Sequence, residues 1–394
     1  MKKVSISLAV LLLSAAASAH AASPVTIKTI SKSFSVNNVE GFALSKANAV
    51  IFTNVQNATN DVVVTAIDAA GVQAWSKTID SGVDEIATAI TSDRQGNIWI
   101  AGSAAVLLSI ESTTSVNGLD NPDSVTVDSV TSLRPDMTTL SIWKLSPSGV
   151  LVSTFNLEVG SVPLVNSLDV DSLGISAAGV LADRPFIVNS DVSGKFSKVI
   201  NIGTALTSIN DISRVKSGSV NIYGSSSESL AGKKRVGTRD GILMTISATG
   251  KITQLVRSSA SKATRDWQSA TSTYATTGSV KVAATTESAI TQFTSAFKPV
   301  WTLRIPSTGE SRIAYGNKLT YLAFTSKSKI TGITGWKPTQ PTLVLIAFDS
   351  KGVIKAAYSF PGLTSPIFLE YSQERGVTGL ALGAKNTVSI FQLN

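Results

Sequence analysis

The residues that could do chemistry fall into a few groups along the 394-residue chain. Asp120, Asp123, Asp128 and Asp136 crowd one stretch between Ser103 and Thr139. Carboxylates on a flexible loop are the oxygen ligands Ca²⁺ takes, although their spacing matches no EF-hand loop. Lys233, Lys234 and Arg235, with Arg239 close behind, make a basic cluster able to contact phosphate, sulfate or an anionic polymer. No aromatic residues interleave with it and no nucleic-acid-binding motif surrounds it, so a solvated loop is the simpler reading and no nucleic-acid partner is expected. Trp336 lies amid glycine and proline in TGITGWKPTQPT, where an indole can stack on a sugar ring or fold onto a rim. Arg184, Arg214, Arg265, Asp211, Asp266 and Tyr274 are the polar residues that acid–base chemistry would draw on.

Composition removes most other catalytic classes. The single histidine, His20, lies in the N-terminal leader, and the chain contains no cysteine. Beyond residue 21 there is therefore no imidazole base and no thiolate. Zinc sites built on His or Cys, Ser-His-Asp triads and Cys-His pairs are excluded together. Ser-x-x-Lys occurs at Ser259/Lys262, Ser295/Lys298 and Ser326/Lys329, but in a serine-rich chain without a following Lys-Thr-Gly. These strings read as chance, and no cofactor-binding fingerprint is present.

The N-terminus reads as a secretory signal. Lys2 and Lys3 supply positive charge, Val4–Ala17 is apolar, and Ala19-His20-Ala21 offers small residues where a peptidase cleaves. Cleavage after Ala21 would leave a single domain over residues 22–394 and lower the net charge from +8 to +6 by removing Lys2 and Lys3. The expected location is periplasmic, cell-surface or secreted. No later apolar run is long enough to span a bilayer. Without disulfides, the exported fold must rest on its core.

What must position these residues is a repeat. Charged residues make up only 15% of the chain, and Ser, Thr and Gly are abundant, a mixture suited to short strands and turns. One turn-and-strand element recurs seven times. It appears at Asn48, Asp93–Gly96, Asp171–Gly174, Lys216–Gly218, Thr277–Gly278, Gly316–Asn317 and Glu374–Gly376, each before a β-branched or aromatic run. A second turn recurs at Asp68–Gly71, Ser146–Gly149, Asp191–Gly194, Ser247–Gly250 and Asp349–Gly352, with Thr294–Phe297 in the same place but lacking its glycine. Trp75 and Trp301 occupy matching positions on the strands that follow and are expected to pack between repeats. The last unit runs out at Thr387–Asn394, and the segment Val25–Val36 can supply its missing fourth strand.

Seven units of four antiparallel strands, closed by an N-terminal strand, predict an all-β, seven-bladed β-propeller. The strings SDRQGNIWIAG, DAAG and AWSKTI resemble the bacterial exported β-propeller repeat family, in which Asp-x-x-Gly-Asn, a strand ending in Ala-Gly, Asp-x-x-Gly and a Trp-bearing strand alternate. The resemblance implies architecture only.

The mean repeat of about 55 residues exceeds the ~40–45 of compact blades. The excess falls at 103–139, 225–239 and 326–342, always between second and third strands. All three insertions therefore decorate one face. The expectation is a non-catalytic binding or scaffold protein, taking a protein, polysaccharide or cell-surface partner through that face and acting as a monomer. The alternative is a propeller enzyme of polysaccharide lyase, glycosidase or quinoprotein type, using Asp, Glu, Arg and Tyr without His. Carboxylates converging on the central channel would favour that alternative.

Overall fold

The computed structural model describes residues 17–18, 23–31, 33–106, 136–215, 218–383 and 387–393. The candidate calcium ligands Asp120, Asp123 and Asp128, and most of the leader, lie outside the described residues. Among the described residues the regular structure is entirely β, and no helix is long and apolar enough to cross a membrane.

Seven four-stranded antiparallel sheets follow one another in chain order. Their innermost strands are Gly41–Ser45, Glu85–Ser92, Pro163–Asp171, Thr207–Arg214, Thr264–Ala270, Ser311–Gly316 and Leu363–Ser372. Each sheet then steps outward strand by strand, as in blade one through Asn48–Gln56, Asn60–Ile67 and Gln73–Ile79. The chain is a seven-bladed β-propeller.

Successive side chains on a strand point to opposite faces, and in a propeller both faces of a blade meet a neighbour. The core is accordingly divided into seven clusters, one per interface between blades. In blade one, Val50, Phe52, Val62 and Val64 pack toward blade two, whereas Ala49, Ile51 and Ile67 pack toward blade seven. The middle strands, such as Ile98–Ala104 and Thr342–Phe348, are buried along their whole length for this reason.

The turn signals position these strands as the sequence indicates. Asp349 Oδ1 accepts from Lys351 N and Val353 N, each at 2.9 Å, closing the turn that carries Gly352 at φ +79°. Phe297 takes the glycine position of blade five at φ +52°, fully buried beneath blade four's Tyr223. Trp75 and Trp301 lie between blades as expected. The Trp75 ring lies over Gly149 of the next blade and its Nε1 donates to Pro147 O at 3.1 Å. Trp301 covers Gly352 and donates to Ser350 O at 3.2 Å.

Two expectations are corrected. Thr277–Gly278 is not a turn but the middle of the second strand, Ala275–Val282, and the turn lies at Thr271–Tyr274. A Cβ on Gly278 would collide with the carbonyl of Asp266, where the inner strand bulges, as one on Gly102 would with Ile86 and one on Gly179 with Leu164. Gly278 is thus the strand glycine of its repeat, read one element too early.

The closing segment is also shorter than Val25–Val36. Only Ser33–Val36 pairs antiparallel with Val388–Leu393 to complete blade seven. Before that, Val25–Thr26 pairs in parallel with Ile333–Thr334, and Lys28–Thr29 with Tyr358–Ser359. The N-terminal segment first lies along blade six and then closes blade seven. Upstream, Ala17–Ser18 pairs in parallel with Trp301–Thr302, on the outer edge of blade five.

Candidate functional site

Two regions hold polar groups in built surroundings: the central channel and the face carrying the insertions. The channel encloses a cavity of ≈ 590 Å³ lined by the inner strands. Its lining residues lie mostly from the middle of each inner strand to the turn that ends it, on the side away from the insertions.

The channel brings together Asp169, Asp211, Glu370 and Arg312, all half-buried. Of these, only Asp211 is marked out by residue type and position in the sequence. Burial pushes the Asp169 and Asp211 carboxyls up to about 6 and that of Glu370 to about 7. The Asp211 charge raises both of the others, while Arg312 works the opposite way on Asp211. Burial in turn lowers the Arg312 guanidinium from its ordinary range. Carboxyls poised near neutrality in a cleft are suited to proton transfer.

Their oxygens, however, are engaged with the fold. Asp169 Oδ2 accepts from Arg214 N of the next blade at 2.6 Å, and Asp211 Oδ2 from Ala270 N at 2.7 Å. Gln268 Oε1 accepts from Ser311 N at 3.0 Å, and Arg312 Nε donates to Ile367 O at 2.6 Å. Glu370 Oε2 accepts from Leu44 N at 2.7 Å, crossing the closure. Ser92 Oγ, donating to Leu44 O at 2.6 Å, and Thr88 Oγ1, accepting from Val165 N at 3.0 Å, join the two remaining interfaces. Every pair of adjacent inner strands is tied by a side chain of one to the backbone of the other. The polar groups of the channel wall are first of all this ring.

The other residues picked out for acid–base chemistry do not join them. Arg184 donates to Gly203 O on the insertion side, and Arg214 pairs with Asp171 at 3.0 Å at the opposite end. Arg265 lies half-buried over the Trp267 ring at 4.1 Å, and Asp266 accepts from Asn210 Nδ2 at 2.8 Å. Tyr274 occupies a turn at φ +64°.

On the insertion face, the blade-four loop is held from beneath. Asp240 is fully buried, accepts from Val236 N at 3.0 Å and Gly237 N at 2.8 Å, and pairs with Arg257 at 3.1 Å. Burial opposes its charge, but hydrogen bonds from Ser259, Gly237, Val236 and Arg257 hold the carboxyl below its usual range. Of the basic cluster, Lys233 Nζ donates to Leu255 O, and Arg235 Nη1 donates to Ser227 O and Thr238 O, both at 3.2 Å. Lys234 is exposed beside them. In blade six, Ile330 and Ile333 are buried and Trp336 packs half-buried against that core, its Nε1 donating to Ser328 O at 2.8 Å. Trp336 and the basic cluster thus share a face but belong to different blades.

No protein-family model and no curated protein matches this chain. Solved structures do. The chain is similar to the β-propeller domain of Myceliophteria thermophila Cps50 (Swd1), with TM-score 0.50 and 11% identity over 93% of this chain and 100% of that one. It is equally similar to the WD40 domain of Toxoplasma gondii coronin, with TM-score 0.50 and 12% identity over 93% and 87%. At such identities the likeness is one of fold.

Proposed function

We propose that this is an exported, non-catalytic propeller that binds a protein, polysaccharide or cell-surface partner through its insertion-bearing face. The observation that carries the reading is the contrast between the two polar regions. The acids of the channel are spent on neighbouring backbones, whereas the blade-four and blade-six insertions are anchored by buried groups and still leave Lys234 and Arg235 exposed and Trp336 half-exposed. An anchored loop can bind without first losing its conformational entropy. Export rests on the leader Met1–Ala21.

The test measures binding of the purified mature protein to a panel of acidic and neutral polysaccharides and to envelope extracts. Three variants are compared: Lys234→Glu, Trp336→Ala, and one with 103–139 shortened. Unchanged binding in all three would sink the assignment of the face.

A second reading is favoured by one observation, the raised carboxyls of Asp169, Asp211 and Glu370 beside Arg312. In it the channel hydrolyses or eliminates across a glycosidic bond, with one protonated carboxyl as general acid. Release of new sugar ends from a polysaccharide, abolished by Asp211→Asn in a protein that still folds, would establish it in place of the first.

A further inference from the structure

Away from the channel and the two anchored insertions, a third polar cluster lies on the insertion-bearing side of the seam between blades one and two. Asp61 begins the third strand of blade one, Asp80 follows its fourth, and Glu85 begins the inner strand of blade two. Nineteen and five residues separate them in the chain, so no sequence motif announces the group. The four-stranded blade brings them together, because the loop between second and third strands and the link to the next blade emerge side by side. Carboxylate oxygens of the three lie within 4.8 Å of one another.

The local hydrogen bonds leave the cluster incomplete. Asp61 accepts from Asn57 Nδ2 at 2.9 Å and Thr59 Oγ1 at 2.8 Å, and Asp80 from Gly82 N at 2.8 Å. Glu85 Oε1 accepts from Ser81 N at 2.9 Å and from the Ser81 hydroxyl. Glu85 Oε2 has no hydrogen-bond partner, although the residue is only 1% exposed. Among the described residues, no Lys or Arg forms an ion pair with any of the three. Burial raises the Glu85 carboxyl above its ordinary range despite the Ser81 bonds, and the Asp80 and Asp61 charges push it the same way. A buried carboxyl with one oxygen lacking a donor, close to two further carboxylates, is costly in its ionised form unless a cation meets it.

We propose that Asp61, Asp80 and Glu85 form a calcium site that ties blade one to blade two. Two oxygens held by one Ca²⁺ at 2.3–2.6 Å can be at most about 5 Å apart, which this cluster satisfies. Its donors are all oxygen, which suits a hard cation and excludes the nitrogen and sulfur sites of zinc or copper. Mg²⁺ demands a near-ideal octahedron with short bonds. Here the ligands come from two separate loops, and Asp80 is exposed while the other two are buried, an irregular set that Ca²⁺ tolerates better.

The experiment uses the full mature chain, stripped with EDTA, and follows calorimetric titration with CaCl₂ and thermal unfolding. One equivalent should bind with Kd on the order of 10⁻⁵–10⁻³ M, and the unfolding midpoint should rise with Ca²⁺ concentration because the ion binds only the folded seam. MgCl₂ should bind at least tenfold more weakly. Glu85→Gln and Asp80→Asn should each weaken Ca²⁺ binding tenfold or more. Should Glu85→Gln fail to fold, Asp80→Asn, at an exposed position, carries the test alone. Absence of a calcium-dependent heat and midpoint shift in the parent protein, or equal affinity in Asp80→Asn, overturns the site. Neither result bears on partner binding by the insertions, which is read in the absence of metal as well.

Discussion

Phe34, on the strand that closes the ring, lies against Gly71 in the turn of blade one. A Cβ placed on Gly71 would come within 3.3 Å of the Phe34 ring. The same relationship joins Trp75 to Gly149, Phe155 to Gly194, Ile200 to Gly250 and Trp301 to Gly352. A large side chain on the outer strand of one blade thus covers the turn glycine of the next. Phe34 is that residue for blade seven, contributed from the far end of the chain. Phe34→Ala should therefore destabilise the protein by about 1–3 kcal/mol, as truncation of a partly buried aromatic does. Denaturant unfolding measures this.

Glycines in these turns and in the links between blades carry two separate constraints that substitution can resolve. Gly149 at φ +82° and Gly362 at φ +84° share a left-handed backbone, but a Cβ would meet the Trp75 ring at 2.5 Å in the first and nothing within 4 Å in the second. Gly362→Ala should cost only the backbone strain, about 1 kcal/mol. Gly149→Ala should cost about 1–3 kcal/mol more through displacement of the indole. Trp fluorescence during unfolding should shift in the second variant and not the first.

The channel carboxyls predict a pH dependence of stability. Asp169 and Asp211 rise to about 6 and Glu370 to about 7 in the folded protein, against ordinary values of 3.8 and 4.5. The folded state consequently binds more protons than the unfolded chain between those limits. Stability from these groups is fully present below pH of about 4 and is lost as pH rises to about 7, roughly 3 kcal/mol for each carboxyl at most. Asp211→Asn, which keeps the shape and removes one charge, should flatten the profile. A steeper profile in that variant would refute the account.

Breaking the buried pair under the blade-four insertion should be more damaging. The side chains of Arg257 and Asp240 are 6% and 0% exposed, so Asp240→Ala strands a buried guanidinium and two backbone amides. A loss of about 3–5 kcal/mol is expected. In limited proteolysis, cleavage between Ser227 and Arg239 should appear in this variant before cleavage elsewhere.

Much of the fold is legible in the sequence because its signals are local. The Asp93 and Asp349 turns close on their own backbone amides, and a strand of alternating contacts follows each. Blade five was harder to read because Phe297 replaces a turn glycine and Gly278 imitates one. The difference lies in a bulge on a neighbouring strand that no local pattern records. The channel group was mostly illegible: Asp169, Arg312 and Glu370 come from three different blades, and only closure makes them neighbours. The cluster of Asp61, Asp80 and Glu85 was hidden for the same reason. Trp336 and Lys233–Arg235 were visible as residue types, whereas the carbonyls that occupy Lys233 and Arg235 were not.

The closing strand has a consequence for how the molecule is made. Ser33–Val36 leaves the ribosome among the first residues of the fold, and its partner Val388–Leu393 among the last. No arrangement of the intervening blades can satisfy the edge of either until both segments have been made. A chain truncated anywhere upstream of residue 388 keeps an unpaired edge strand that proteases and quality control can recognise. The clasp is therefore also a checkpoint: only a copy that extends through Val388–Leu393 can close the ring.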